Sequence, residues 1–134
     1  MNNKSTKILT EISPGELLDK ISILEIKLIK IKDKKKLQKI NKEYKSLLNS
    51  KNNTIKNRKS LDGLILKIKE VNLKLWEIED KIRICEKNKD FGDNFIQLAR
   101  DVYLNNDKRS IIKFSINKLL RSNLIEVKEY INYK

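Results

Sequence analysis

The sequence has no histidine, one cysteine, one proline and three glycines. Without histidine there is no Ser–His–Asp triad, no imidazole metal ligand and no side chain that ordinarily titrates between about pH 5 and 8. A single thiol, Cys85, excludes an internal disulfide. It falls on an apolar helical seam, where a small buried hydrophobe is expected rather than a reactive nucleophile. Aromatic residues make up 6% of the chain. No apolar run approaches the ~18 residues of a membrane helix, and no charged-then-apolar leader opens the chain, so a cytoplasmic location without membrane insertion is expected. The scarcity of glycine and proline, with 37% charged and 39% hydrophobic residues, favours helices over disorder. A length of 134 residues fits one domain, 1–134, with a sizeable core.

What is present is dominated by one stretch, Leu61–Glu86. Its apolar residues Leu61, Leu64, Ile68, Val71, Leu75, Ile78, Ile82 and Cys85 follow alternating steps of three and four. That is the seam of one long helix. At about 100° per residue, Leu73, Trp76, Asp80 and Arg83 point away from the seam. A helix with bulk on both faces is expected at the centre of a bundle.

Around it the chain divides by local signals. Lys7–Ile12 alternates weakly and reads as a short strand or extended arm. In Ser13-Pro14-Gly15-Glu16, Ser13 fits an N-cap, Pro14 the first helical position and Glu16 the third, closing a capping box. The helix that follows carries Leu17, Ile21, Leu24, Leu28 and Ile31. Its phase would next bury Lys35 and Gln38, so a break is expected near residues 32–34, with Asp33 capping a second, basic helix. Asn49–Ser60 has no period and reads as a mobile loop. After the long helix, Phe91-Gly92 makes a turn, with Gly92 free to take positive φ. Asp93 then starts a short helix. Asn105-Asn106-Asp107 is expected to end it and begin a last one. The tail Ile125–Tyr133 alternates enough to pair with Lys7–Ile12, or forms a further helical turn. The expected fold is all-α, an antiparallel bundle of four to five helices with possible short terminal strands.

The net charge is +13, and it is localised. Lys27–Lys59 holds twelve lysines and Arg58 against Asp33 and Glu43, a net +11. Phosphate or nucleic-acid binding through this segment is one reading, and a solvated lysine face is the other. Only Tyr44 is aromatic among these lysines, which argues against base stacking.

Two ten-residue segments resemble each other. Glu16–Glu25 reads ELLDKISILE and Glu77–Glu86 reads EIEDKIRICE, with six identities at a constant offset of 61. Each Glu-x-x-Asp sets two carboxylates one turn apart. Side by side, Glu16, Asp19, Glu77 and Asp80 would offer oxygen ligands to Mg²⁺ or Mn²⁺. Helical nucleotide pyrophosphohydrolases are similar in using acidic helix pairs against phosphates, though their first motif is Glu-x-x-Glu. The alternative is that these charges only make helix-surface ion pairs, Glu16 with Lys20 and Glu77 with Lys81. Among the five arginines, Arg83, Arg100 and Arg109 are candidates for anion binding, because guanidinium suits planar bidentate partners. They could instead pair with acidic residues to fix the helix packing. Trp76, Asp80 and Arg83 form a candidate surface patch.

Three blocks carry a family resemblance: SPGELLDKISILEIK from Ser13, LWEIEDKIR from Leu75 and FGDNFIQLARDVYLNNDKRSIIKFSIN from Phe91. In these, under half of its length, the chain resembles a bacterial family of short helical proteins of unknown function. The resemblance implies the helical fold and hints at a place beside surface-polysaccharide genes. It implies no activity for any residue. Three function classes follow: a helical interaction or accessory protein with a protein partner or a homodimer, a metal-dependent phosphohydrolase, and a nucleic-acid binder.

Overall fold

A computed structural model describes residues 5–134 and shows four helices: α1 (Pro14–Lys30), α2 (Lys34–Thr54), α3 (Lys59–Lys87) and α4 (Asp93–Leu119). The single domain expected over 1–134 is thus described from residue 5 onward. Among the described residues there is no strand, and both terminal segments, 5–13 and 123–134, lack regular secondary structure. No described helix is long and apolar enough to cross a membrane.

Local chemistry places the breaks. Pro14 occupies the first turn of α1, and the Ser13 hydroxyl accepts from the Glu16 N–H at 3.1 Å. The other half of the capping box is not made, because the Glu16 carboxylate turns to Lys113. Asp33 caps α2, with one carboxylate oxygen accepting from the Lys35 and Lys36 N–H groups at 2.9 and 3.1 Å. The loop expected over Asn49–Ser60 is shorter. Helix continues through Thr54 and resumes at Lys59, leaving residues 55–58 as the link. Between α3 and α4 the left-handed residue is Lys89, at φ 54°, while Gly92 stays at −81°. The Asp90 N–H bonds back to the Cys85 carbonyl at 2.9 Å, which closes the end of α3 in a Schellman turn.

Two further expectations are corrected. Asn105-Asn106-Asp107 does not break a helix; α4 runs unbroken through it. Buried Asn105 donates its amide to the Asp101 carbonyl one turn back at 2.8 Å, and Asp107 accepts from the Tyr133 hydroxyl. The burial of Asn105 and the Asp107–Tyr133 contact outweigh the weak helix propensity of these residues. The helix at the centre is also not α3. Although α3 is the longest, α1 is the helix that packs on all three others, and α2 packs on α1 alone. Accordingly α1 buries eight of its 17 residues and α2 buries none.

The pairings fix the directions. From Gly15 through Glu16 to Asp19, α1 meets Asn117, Lys113 and Arg109 in turn, so α1 and α4 are antiparallel. Leu61 packs with Leu17 and Leu18 while Asn72 reaches Asp19 and Ser22, so α1 and α3 run the same way. The core has two parts. One joins Leu17, Leu18, Ile21, Leu61 and Ile116; the other, Ile78, Cys85 and Leu98, belongs to α3 and α4 alone. The expected α3 seam is present, with Leu61, Ile68, Ile78 and Cys85 buried. A cleft opens beside the C-terminal half of α1, between it and the α3–α4 pair.

Candidate functional site

The floor of this region is set by a polar cluster around Asp19, which is 0% exposed. Arg109 Nε donates to Asp19 Oδ1 at 2.8 Å, and its Nη2 donates to Oδ2, giving a bidentate pair. Asn72 Nδ2 donates to the same Oδ1 at 2.8 Å and to Ser22 Oγ at 2.7 Å. The Ser22 hydroxyl in turn donates to the Asp19 carbonyl at 2.8 Å. Among the described residues no buried side-chain nitrogen or oxygen lacks a partner, so the cluster is complete within itself. The pairing with Asp19 raises the Arg109 pKa against the opposing effect of burial, and the guanidinium is charged at every working pH.

One turn towards the start of α1, buried Lys113 donates to Glu16 at 2.7 Å and pairs with Glu126 of the C-terminal segment at 3.3 Å. Burial alone would lower the Lys113 pKa. The bond to Glu16, the charges of Glu16 and Asp19 and the bond to Glu126 outweigh it, and the net shift is upward. Burial would raise the Glu126 pKa, but Lys113 and then Lys128 bring it below the usual value. Tyr44, which donates to Glu25 at 3.1 Å, is raised by burial and by that carboxylate. A raised lysine or tyrosine contributes all of its stability below pH ~10 and loses it as pH climbs through the raised value. A depressed glutamate contributes above pH ~4.5 and loses its part as pH falls. The melting temperature is therefore expected to fall at both extremes. Lys113→Met should shrink both the acid and the alkaline changes; a pH profile with both limbs unaltered would contradict the assignment.

The cleft itself has a volume of 520 Å³ and is lined by Ile23 and Ile26 of α1, by Asn72, Leu75, Trp76, Glu79, Asp80 and Arg83 of α3, and by Asn106 and Arg109 of α4. Its walls are apolar at Ile23, Ile26 and Leu75. Trp76 is half-buried along one side, with Glu79 and Asp80 beside it. Arg83 donates to Glu79 Oε2 at 2.7 Å, an exposed i,i+4 pair. Arg109 is neutralised by Asp19 from behind. Both arginines therefore arrive already paired; the lining itself is formally neutral, and counting Asp19 behind it leaves one net negative charge, that of the exposed Asp80 carboxylate.

The expected sites fare differently. Trp76, Asp80 and Arg83 do share one surface, the cleft, although Arg83 pairs with Glu79 rather than Asp80. Of the three candidate anion-binding arginines, Arg83 and Arg109 line the cleft, while Arg100 is exposed elsewhere on α4. The four carboxylates do not gather. Glu16 is held by Lys113 and Asp19 by Arg109, Asp80 lines the cleft, and Glu77 is exposed outside its lining. Among the described residues no three acidic side chains converge as metal ligands would. The physical reason is register: in two helices running the same way, the first Glu-x-x-Asp lies across from residues near Asn72, so the second falls further along α3. The helix-surface pairs expected within each repeat, Glu16–Lys20 and Glu77–Lys81, are absent from the ion pairs of the described residues.

Asn72, Lys113 and Asn117 belong to the site or its support and were not singled out by sequence reasoning, and Asn106 was read as part of a polar turn rather than of a continuous helix. A signal for part of it exists. Phe95, Leu98, Val102, Asn105, Arg109, Ile112, Ile116 and Leu119 continue one three-four seam along all of α4, interrupted only by two polar residues. Polar residues inside an apolar seam mark partners on the facing helix.

No curated protein and no solved structure matches the chain. Family of unknown function (DUF6165) matches residues 8–133, nearly the full length, and the chain belongs to that family.

Proposed function

We propose that the chain is a non-catalytic helical binding module of the bacterial cytoplasm, accessory to surface-polysaccharide synthesis, with the Trp76 cleft as its working site for a saccharide unit. The observation that carries this reading is the composition of the cleft. A tryptophan and aliphatic walls stand beside the amide of Asn106 and the carboxylates of Glu79 and Asp80. An indole offers its face to the C–H side of a sugar ring, while amides and carboxylates hold its hydroxyls. With both arginines already paired, the described lining of the cleft offers no free cation to recruit a phosphate, which favours a saccharide over phosphoryl chemistry. The resemblance to families near surface-polysaccharide genes supports the same direction. A protein partner or a second copy fits an accessory role, and Leu66, Leu73, Ile84 and Ile96 leave aliphatic surface open on α3 and α4.

Trp76 is the only tryptophan, so its fluorescence reports on the cleft alone. Titration with a panel of free hexoses, hexosamines and hexuronates is expected to shift its emission for one class. Calorimetry should then show Trp76→Phe and Asp80→Asn each weakening binding about tenfold, the scale of one stacking or charge-assisted contact. Emission that ignores the whole panel at millimolar concentrations, or Mn²⁺-dependent nucleotide hydrolysis lost in Asp80→Asn, would sink the reading.

A further inference from the structure

The most basic element of the chain is also the one least used by the fold. Helix α2 buries no residue and packs on α1 alone. Between Lys34 and Lys51 it carries seven lysines against Glu43. At about 100° per residue, Lys34, Lys35, Lys39, Lys42 and Lys45 fall within an arc of about 140°. The half-buried Leu37, Ile40, Tyr44, Leu47 and Leu48 centre on the opposite side, facing the bundle. All five lysines are exposed, and among the described residues none takes part in an ion pair. Asp33 does not offset them outwardly, because its carboxylate is engaged by the α2 N-terminus. The result is a straight cationic stripe about 16 Å long at ~1.5 Å per residue.

A second observation lies beside it. The arm 7–12 lies along the C-terminal half of α2, where Lys7, Ile8, Leu9, Ser46, Lys56 and Arg58 border one open depression. Ile8 and Leu9 are 81% and 85% exposed. Aliphatic side chains held open in water next to a field of lysines match the two demands of a bilayer surface, anionic headgroups and an apolar layer beneath. Nucleic acid uses exposed isoleucine and leucine only as wedges between base steps of a kinked minor groove, where they work beside arginine, lysine, asparagine and glutamine. It also favours forked arginines and stacking aromatics, and α2 has no arginine and only Tyr44, whose hydroxyl is bound to Glu25.

We propose that α2 and the arm 7–12 together form a docking surface for the anionic face of a lipid bilayer, holding the protein peripherally at the membrane. Adsorption through α2 and ligand capture at the Trp76 cleft involve different residues and stand or fall separately.

The test is sedimentation with vesicles of phosphatidylcholine alone and with about one third phosphatidylglycerol, in ~0.1 M salt. Binding to the anionic vesicles only is expected, and it should be released as salt is raised. Lys35→Glu/Lys39→Glu/Lys42→Glu should weaken partitioning more than ~100-fold, since each lysine near such a surface contributes roughly fivefold. Its helical circular dichroism should not change, because those side chains support nothing. Ile8→Ser/Leu9→Ser should weaken binding while leaving its salt dependence intact. Equal binding to neutral vesicles, no binding to either, or an unaffected triple variant would overturn the proposal. So would tighter binding to an RNA or DNA duplex than to the anionic vesicles at the same salt, which would assign the lysines to nucleic acid.

Discussion

Replacing Asp19 with alanine is expected to lower the unfolding free energy by about 3–5 kcal/mol, the range for breaking a buried ion pair from one side. The carboxylate is wholly inside the protein and accepts from Arg109 twice and from Asn72 once. Its loss strands a half-buried guanidinium and leaves one Asn72 amide hydrogen without its partner, the other still held by Ser22. Desolvation without compensation, more than the lost attraction, dominates the effect. Two comparisons separate these terms. Asp19→Asn keeps the shape but cannot neutralise Arg109, so it should recover only a minor part. Adding Arg109→Met to Asp19→Ala removes the stranded cation, and the pair should be less damaging than the two single changes summed. Denaturant unfolding followed by circular dichroism reads all of these values. A loss below about 1 kcal/mol for Asp19→Ala would mean that the cluster is hydrated and contributes little.

The same cluster shows where sequence reading reaches and where it stops. The start of α1 was legible because Ser13 and Pro14 act on the backbone within one turn, although the Glu16 carboxylate expected to close the box reaches Lys113 instead. The break at residues 31–33 was legible because the α1 phase runs into lysine, and the α3 seam because its spacing is unbroken over seven steps. These are local or periodic signals. Which helix sits in the middle is neither. Helix α3 has the longest apolar pattern, yet α1 lies between the others because small or hydrogen-bonded residues, Gly15, Asp19 and Ser22, let its polar side be covered too. Asp19 was legible as unusual through the Glu-x-x-Asp repeat, but the identity of its partner depended on helix register. Arg109 lies 90 residues away and in the sequence looked equally suited to an external anion. The cleft was half legible. Trp76, Asp80 and Arg83 share a face of one helix, whereas Asn106 and Arg109 join them only through an α4 that reads as broken at Asn105. Left-handed Lys89 was not legible at all, because a glycine three residues later offered the cheaper turn.

Gly15 is the position where close approach matters most, and Gly15→Ala is expected to destabilise the protein by about 1–3 kcal/mol, the scale of an overpacked contact. A Cβ built there meets the Lys113 carbonyl oxygen at 2.7 Å and Asn117 Oδ1 at 2.8 Å. The first of these is backbone in the interior of α4, so it cannot swing aside as a side chain would. In an open first turn, alanine would be the better helix residue by up to ~1 kcal/mol. Here that gain is smaller than the clash, so the sign of the change tests the packing. The Gly15 N–H also donates to Asn117 Oδ1 at 2.7 Å, satisfying a free donor of the α1 N-terminus from another helix. Pushing α1 outward by a few tenths of an ångström lengthens that bond and the Glu16–Lys113 pair beside it. Asn117→Ala alone should cost less, about 1 kcal/mol, because it removes the hydrogen bond but adds no volume. In the Gly15→Ala background, Asn117→Ala should cost almost nothing further, since the bond is already strained and one clashing atom is gone. Equal stability of Gly15→Ala and the wild-type chain would place α1 further from α4 than the hydrogen bonds of Asn117 and Lys113 allow.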